Sequence, residues 1–219
     1  MPTHKMVSLK IKLIALGCIL VSAMLVNVGD RAHAERHVAG TSQQDGKMFE
    51  KGDDFDPPVK IVLVKSKIGV IETDKKIEAN DDWLKGLTIR VRNDSSEIVT
   101  HVSVELRFRR PQNQANEHDF VTQISAGRDP FGSPQSSSSK APVSLLPGQT
   151  IDITVSNTEY ESSRTALNEL NYPPSIKAVR ARIRAIGFSD GTAWSSGMIF
   201  ERDPDNPEGW TPKKKPRRS

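Results

Sequence analysis

Residues Ile98 to Arg110, IVTHVSVELRFRR, change chemistry at every step. Val102, Val104, Leu106 and Phe108 share one parity, and His101, Ser103, Glu105, Arg107 and Arg109 share the other. A period of two belongs to an extended chain with one dry and one wet face, because successive side chains of a strand point to opposite sides of the sheet. The segment is therefore expected to be a central β-strand, and the rest of the chain must supply a sheet around it.

The same alternation recurs. Leu87, Ile89 and Val91 alternate with Thr88, Arg90 and Arg92, and the turn residues Asn93 to Ser96 lead into the Ile98 strand, which predicts an antiparallel hairpin. VKIVLV and SKIGVIET, from Val59 onward, are rich in β-branched residues, with Gly69 as a bend or bulge between them. Asp119 to Ser125 reads as a short edge strand, and Ile151, Ile153 and Val155 alternate with Asp152 and Thr154 after a Pro147-Gly148 turn. Ile176 to Phe188 is a long strand in which Val179, Ala181, Ile183 and Ala185 alternate with Arg180, Arg182 and Arg184. The parity changes near Ile186 and Phe188, where a bulge or a covering loop is expected. Asp190-Gly191 signals a hairpin that returns the chain as one strand from Thr192 to Phe200. A single short helix is expected where Thr158 and Glu161 have capping-box spacing, with Tyr160, Leu167 and Leu170 on one face and Asn171 before Pro173-Pro174 as the stop. About seven strands, one helix and no βαβ alternation give an all-β chain. The expected fold is a two-sheet antiparallel sandwich of immunoglobulin or fibronectin type, with a closed barrel as the competing architecture.

The ends of the chain differ from its middle. His4, Lys5, Lys10 and Lys12 precede an apolar run from Leu13 to Val28, and Ala32-His33-Ala34 has the small-x-small pattern of a cleavage site. Residues 1–34 are thus expected to be a signal peptide, which places the mature chain in the periplasm or outside the cell; membrane contact is expected only if this segment is retained. Cys18, the only cysteine, lies inside the apolar run and so is poorly placed for lipidation. Once it is removed, the mature chain has no thiol chemistry and no disulfide. Residues 35–58 are read as a flexible lead-in, 59–202 as the sandwich domain, and 203–219 as an extended, proline-rich basic tail whose Trp210 docks back onto the domain. The formal charge of +4 is concentrated at the ends, in the leader and in Lys213 to Arg218, so that residues 35–212 carry about −4. Nucleic-acid binding by a broadly basic domain is not supported on that count.

Leu87 to Phe108 (LTIRVRNDSSEIVTHVSVELRF), together with Leu146-Pro147-Gly148-Gln149, resembles small exported bacterial immunoglobulin-like modules that pair a V-x-N strand and turn with a Pro-Gly entry to a later strand. The closing segment, Phe188-Ser189-Asp190-Gly191-Thr192-Ala193-Trp194-Ser195-Ser196-Gly197 to Phe200-Glu201-Arg202-Asp203-Pro204, is similar to a family of uncharacterised exported bacterial proteins. The resemblance implies a β-sandwich and an envelope location, and it brings no catalytic residue. It also suggests a packing motif, with Trp194 in the core and Arg202 paired to Asp203 or Asp190.

The chemistry-bearing residues are sparse. His37, His101 and His118 lack metal-ligand spacing, and Asp53, Asp54 and Asp56 lack the glycine and distal glutamate of a calcium loop. There is no H-E-x-x-H and no nucleophile elbow, Trp194-Ser195-Ser196-Gly197 does not fit the serine motif, and His118-Asp119 has no evident third partner. No enzyme, cofactor, metal or small-molecule substrate is inferred. The one suggestive pattern is cationic. If the Ile98 and Ile176 strands are neighbours, Arg107, Arg109, Arg180, Arg182 and Arg184 project from one outer face, a possible anion-binding ladder or an ordinary charged surface neutralised by residues such as Glu105. Two functions therefore compete: a non-catalytic structural or protein-binding module of the cell envelope, and a polyanion-binding protein using the arginine face and basic tail for an acidic glycan, lipopolysaccharide or nucleic acid. Steep salt dependence would mark the second.

Overall fold

The computed structural model describes residues 46–52, 55–110, 119–132, 141–206 and 208–213. The leader with Cys18, His37, Asp53 and Asp54, His118, the serine run at 136–139 and residues 214–219 lie outside the described residues. The strands are β1 (Lys47–Gly52), β2 (Val59–Ser66), β3 (Gly69–Val70), β4 (Lys76–Ile77), β5 (Thr88–Asn93), β6 (Val99–Phe108), β7 (Phe120–Gly127), β8 (Thr150–Thr154), β9 (Ala178–Phe188), β10 (Ala193–Ser195), β11 (Met198–Arg202) and β12 (Trp210–Pro212). A single helix, α1 (Asn157–Glu169), stands between β8 and β9. They form a two-sheet sandwich, all-β apart from the helix. The larger sheet is built on β9, which pairs with β6 along one side and with β1 and then β10 along the other; β7 extends it beyond β6, β4 beyond β1, and β11 and β12 beyond β10. The smaller sheet has the order β3-β2-β5-β8. Every pairing is antiparallel except β1 with β9, which is parallel, a departure from the wholly antiparallel sandwich expected from the sequence.

The apolar parity of each strand forms the core. Val102, Val104, Leu106 and Phe108 of β6 are buried against Ile89 and Val91 of β5, with Val179, Ala181 and Ile183 of β9 in the same interior. The parity change in β9 is a bulge: Val104 pairs with Ile183 but Val102 with Ile186, so one extra β9 residue opposes β6 there. This returns Ile186 to the core in place of an arginine. A second bulge in β2, after Ile61, puts both Ile61 and Val64 inside while Val62 is exposed.

Several expectations are corrected. β5 and β6 do not form a hairpin; they lie in opposite sheets, and the turn between them crosses the sandwich. Asn93 explains why. Its side chain is fully buried and donates to the carbonyls of Glu97 (2.7 Å) and Leu145 (2.9 Å), while its oxygen accepts from the Ser95 N–H and hydroxyl, so the chain is folded out of the sheet instead of back along it. Gly148 N–H donates to the Asn93 carbonyl at 2.7 Å, which joins the V-x-N turn physically to the Pro-Gly turn. The lead-in at 35–58 contains β1, whose Phe49 is fully buried. The return from Thr192 is two strands, not one, because Ser196 and Gly197 both have positive φ and close a tight hairpin between β10 and β11. The tail at 203–219 contains β12, and Trp210 does dock, its Nε1 donating to the Pro130 carbonyl at 3.1 Å. Gly127 ends β7 at φ 79, where a Cβ would run into the Thr100 carbonyl.

The helix begins two residues earlier than its sequence suggests. Ser156 is the N-cap and Glu159 completes the capping box, with Glu159 N–H donating to Ser156 Oγ (3.1 Å) and Ser156 N–H to the Glu159 carboxylate (2.8 Å). Tyr160 and Leu167 face the core, but Leu170 is exposed beyond the last turn, where Asn171 takes positive φ. Ser156→Ala should therefore destabilise the domain by about 1 kcal/mol, the usual worth of a cap, while Thr158→Ala should have little effect. Urea denaturation followed by far-ultraviolet circular dichroism checks this; equal losses at both positions would contradict the assigned cap.

Candidate functional site

The outer face of the larger sheet carries the arginines, and register decides what they meet. Glu50, Arg180, Arg107 and Val121 form one row across β1, β9, β6 and β7. Gly52, Arg182, Glu105 and Gln123 form the next. Arg182 makes a two-pronged pair with Glu105 (2.9 and 3.1 Å), and Arg107 reaches the same carboxylate at 3.1 Å. Arg109, just past the end of β6, binds Glu50 at 2.6 Å. Arg184 donates to Ser196 Oγ at 3.4 Å. Gly52 has a packing role: a Cβ there would come within 2.8 Å of Arg180 Nε, so the absent side chain leaves space for that guanidinium.

The five arginines thus share a face, as expected, but it is not the wet surface that parity predicts. His101, Ser103 and Glu105, which share parity with the arginines, are buried. Arginine stems cover Glu105, whose side chain is 6% exposed against 25% for Arg182 and 39% for Arg107. Burial pushes the Glu105 carboxyl upward; hydrogen bonds and charge from Arg182, then from Arg107, outweigh this and hold it below its ordinary value. At the other end of this face Phe131 packs edge-on to Phe200 (5.7 Å between centroids) and against Trp210 (5.0 Å), while Arg202 lies 4.2 Å over the Trp210 ring and donates to the Pro130 and Glu208 carbonyls. Trp194 is in the core. Asp190 accepts from the Thr192 N–H and hydroxyl, closing the β9–β10 turn.

Lys47, Ser175 and Asp81 form a second linked group of polar side chains. Lys47, core-facing and buried, donates to both Ser175 Oγ and the Asp81 carboxylate. Asp81 is held below its ordinary value by hydrogen bonds from Ser175 and then Lys47. The arrangement lets a lysine stem line the core while its ammonium reaches the rim. Among the described residues no group of three or more histidine, cysteine, aspartate or glutamate side chains is placed to hold a metal ion, and no helix is long and apolar enough to cross a membrane.

The feature that the sequence shows only in outline is the edge at β7. Of the terminal strands, β3 and β4 have two residues each, β12 three and β8 five, whereas β7 has eight. Its sequence, FVTQISAG, has no charge and no proline, and it pairs with β6 through eight consecutive positions without a bulge. Short length, lysine, proline and bulges are the usual means of blocking an edge, and β7 uses none of them. Among the described residues no strand pairs with its far side. Tyr172 fixes which backbone groups point there. Its hydroxyl accepts from Phe120 N–H (2.6 Å) and donates to the Phe108 carbonyl (3.0 Å), so those groups face each other across the β6–β7 ladder. Alternation along a strand then turns the backbone groups of Val121 and Gln123 outward. Beneath this edge a mostly apolar crevice of about 40 Å³ lies between β7 and α1, lined by Leu106, Thr122, Ile124, Tyr160, Arg164 and Leu167 among others. That is far below the ~300–1,000 Å³ of a small-molecule pocket. No family model, curated protein or solved structure matches the chain.

Proposed function

We propose that this chain is an exported, non-catalytic β-sandwich module of the cell envelope that binds protein by accepting a partner strand at β7. The observation that carries this is the eight-residue, uncharged, unbulged edge with outward-facing backbone groups at Val121 and Gln123. Such an edge supplies main-chain hydrogen bonds to any extended segment laid beside it, and side-chain pockets then select among segments. The polyanion reading keeps one observation in its favour, the five arginines against Glu50 and Glu105 on one face. It is the weaker, because three of those arginines already engage the two carboxylates.

Proline tests the edge. At Gln123 it removes only an outward N–H, which edge strands tolerate, whereas at Thr122 it removes a ladder bond to β6. Gln123→Pro should fold with a near-wild-type urea midpoint and lose a crosslink, formed in the native envelope from a photoreactive residue at Val121, that the otherwise wild-type protein makes. An unchanged crosslink in a folded Gln123→Pro protein would refute strand addition.

A further inference from the structure

We propose that the strand accepted at β7 is amphipathic, with a branched aliphatic side chain turned toward the α1 crevice and acidic side chains on the opposite face. This rests on the strand-addition reading above and names the chemistry of its partner. A strand laid beside β7 continues both faces of the sheet. Its side chains flanking Thr122 and Ile124 point beneath the edge, and those flanking Val121 and Gln123 lie on the arginine face. Beneath the edge, Leu106, Ile124, Tyr160 and Leu167 line a space of about 40 Å³, a fit for an aliphatic group and a costly place for a charge. On the other face, the row Glu50–Arg180–Arg107 ends at Val121, so the next strand lies one spacing, roughly 4.8 Å, farther out. Arg107 and Arg109, the arginines nearest this edge, are 39% and 58% exposed there, so the complement is acidic. A second copy of this chain fits poorly: pairing β7 with itself would join two cationic faces and offer the crevice only Phe120, Ile124 and Ala126, which already pack against their own core.

Three blocked synthetic peptides test this, alternating valine with glutamate, valine with lysine, and serine with glutamate, each followed by fluorescence anisotropy against the full mature chain at low ionic strength. The valine-glutamate peptide should bind ~10-fold or more tighter than serine-glutamate, from burial of the aliphatic groups, and ~3-fold tighter than valine-lysine, from cross-strand charge pairing. Gln123→Pro, or Val121→Pro if the first fails to fold, should abolish binding by removing an outward N–H. Equal affinity for all three peptides with loss in Gln123→Pro would leave strand addition standing and overturn the amphipathic partner. Binding that survives Gln123→Pro would overturn both. Binding by none would overturn the amphipathic partner, leaving the Val121 crosslink to decide the edge. A concentration-dependent dimer broken by Gln123→Pro would replace this partner with a second copy.

Discussion

Trp83→Ala should cost about 4 kcal/mol of folding stability, in the range for deleting a fully buried aromatic side chain. Trp83 has no solvent-exposed surface, and its Nε1 donates to the Ile176 carbonyl at 2.9 Å, in the segment that leads into β9. The substitution therefore leaves both a cavity and a buried carbonyl without its donor, two costs of different origin. Trp83→Phe separates them: it keeps much of the volume and loses the donor, and should cost about 2 kcal/mol. For a domain whose whole stability is on the order of 10 kcal/mol, the alanine variant should show a clearly lowered urea midpoint with an unchanged slope. Circular dichroism is the suitable probe, because the variant removes one of three tryptophan fluorophores. A loss below 1 kcal/mol in Trp83→Ala would mean that this loop is not tied to the core as described.

In sequence Trp83 is only an apolar residue ahead of β5, and the reason is general to this fold. Alternation reports that a face is buried but not what lies across it. Val102, Val104, Leu106 and Phe108, with Val179, Ala181 and Ile183, read as core because each strand carries its own period, whereas Ala185, past the bulge, stands opposite Ser103 on the other face. The β9 bulge left a trace in sequence too, since Ile186 stands where another arginine was due. Features that depend on distant partners left no such trace. In β1 the residues on the side of Phe49 are Lys47 and Lys51, so the local pattern reads as polar, and its only long pairing is with β9, far along the chain. Asn93 carried an ordinary turn signal, and only Leu145 and Gly148 show that the turn changes sheets.

The arginine face was half legible for the same reason. That Arg180, Arg182 and Arg184 share a side follows from spacing; that Glu105 sits opposite Arg182 follows from register, which spacing does not contain. Likewise the segment after Asp119 reads as an edge strand, but its length through Gly127 and the crevice below it depend on where Tyr172 and α1 are packed. Polar positions on a central strand are wet only if their cross-strand neighbours are short. Here the neighbours are arginines, long enough to roof over a carboxylate.

That roof makes Glu105 the most consequential polar residue of the sheet. Glu105→Ala should cost about 3 kcal/mol, the low end for removing one partner of a buried pair, since Arg182 keeps some solvent contact. Adding Arg182→Met to a Glu105→Leu variant should recover most of the loss, because what destabilises is the stranded charge more than the missing attraction. The pair also has a pH signature. The folded carboxyl titrates below its unfolded value of about 4.3, so its contribution is complete above that pH and disappears as pH falls through the lower folded value. The stability difference between wild type and Glu105→Gln should therefore be flat from neutrality down to about pH 5 and shrink below about pH 4. Asp81, Asp82, Asp94, Asp152 and Asp190 are also held below their ordinary values, but both proteins share them and they drop out of the difference. A difference that stays constant into acid, or a Glu105→Ala protein as stable as wild type, would show that the carboxylate is solvated and the arginines uncommitted. The outer face would then be open to an external anion, and the polyanion reading would displace strand addition.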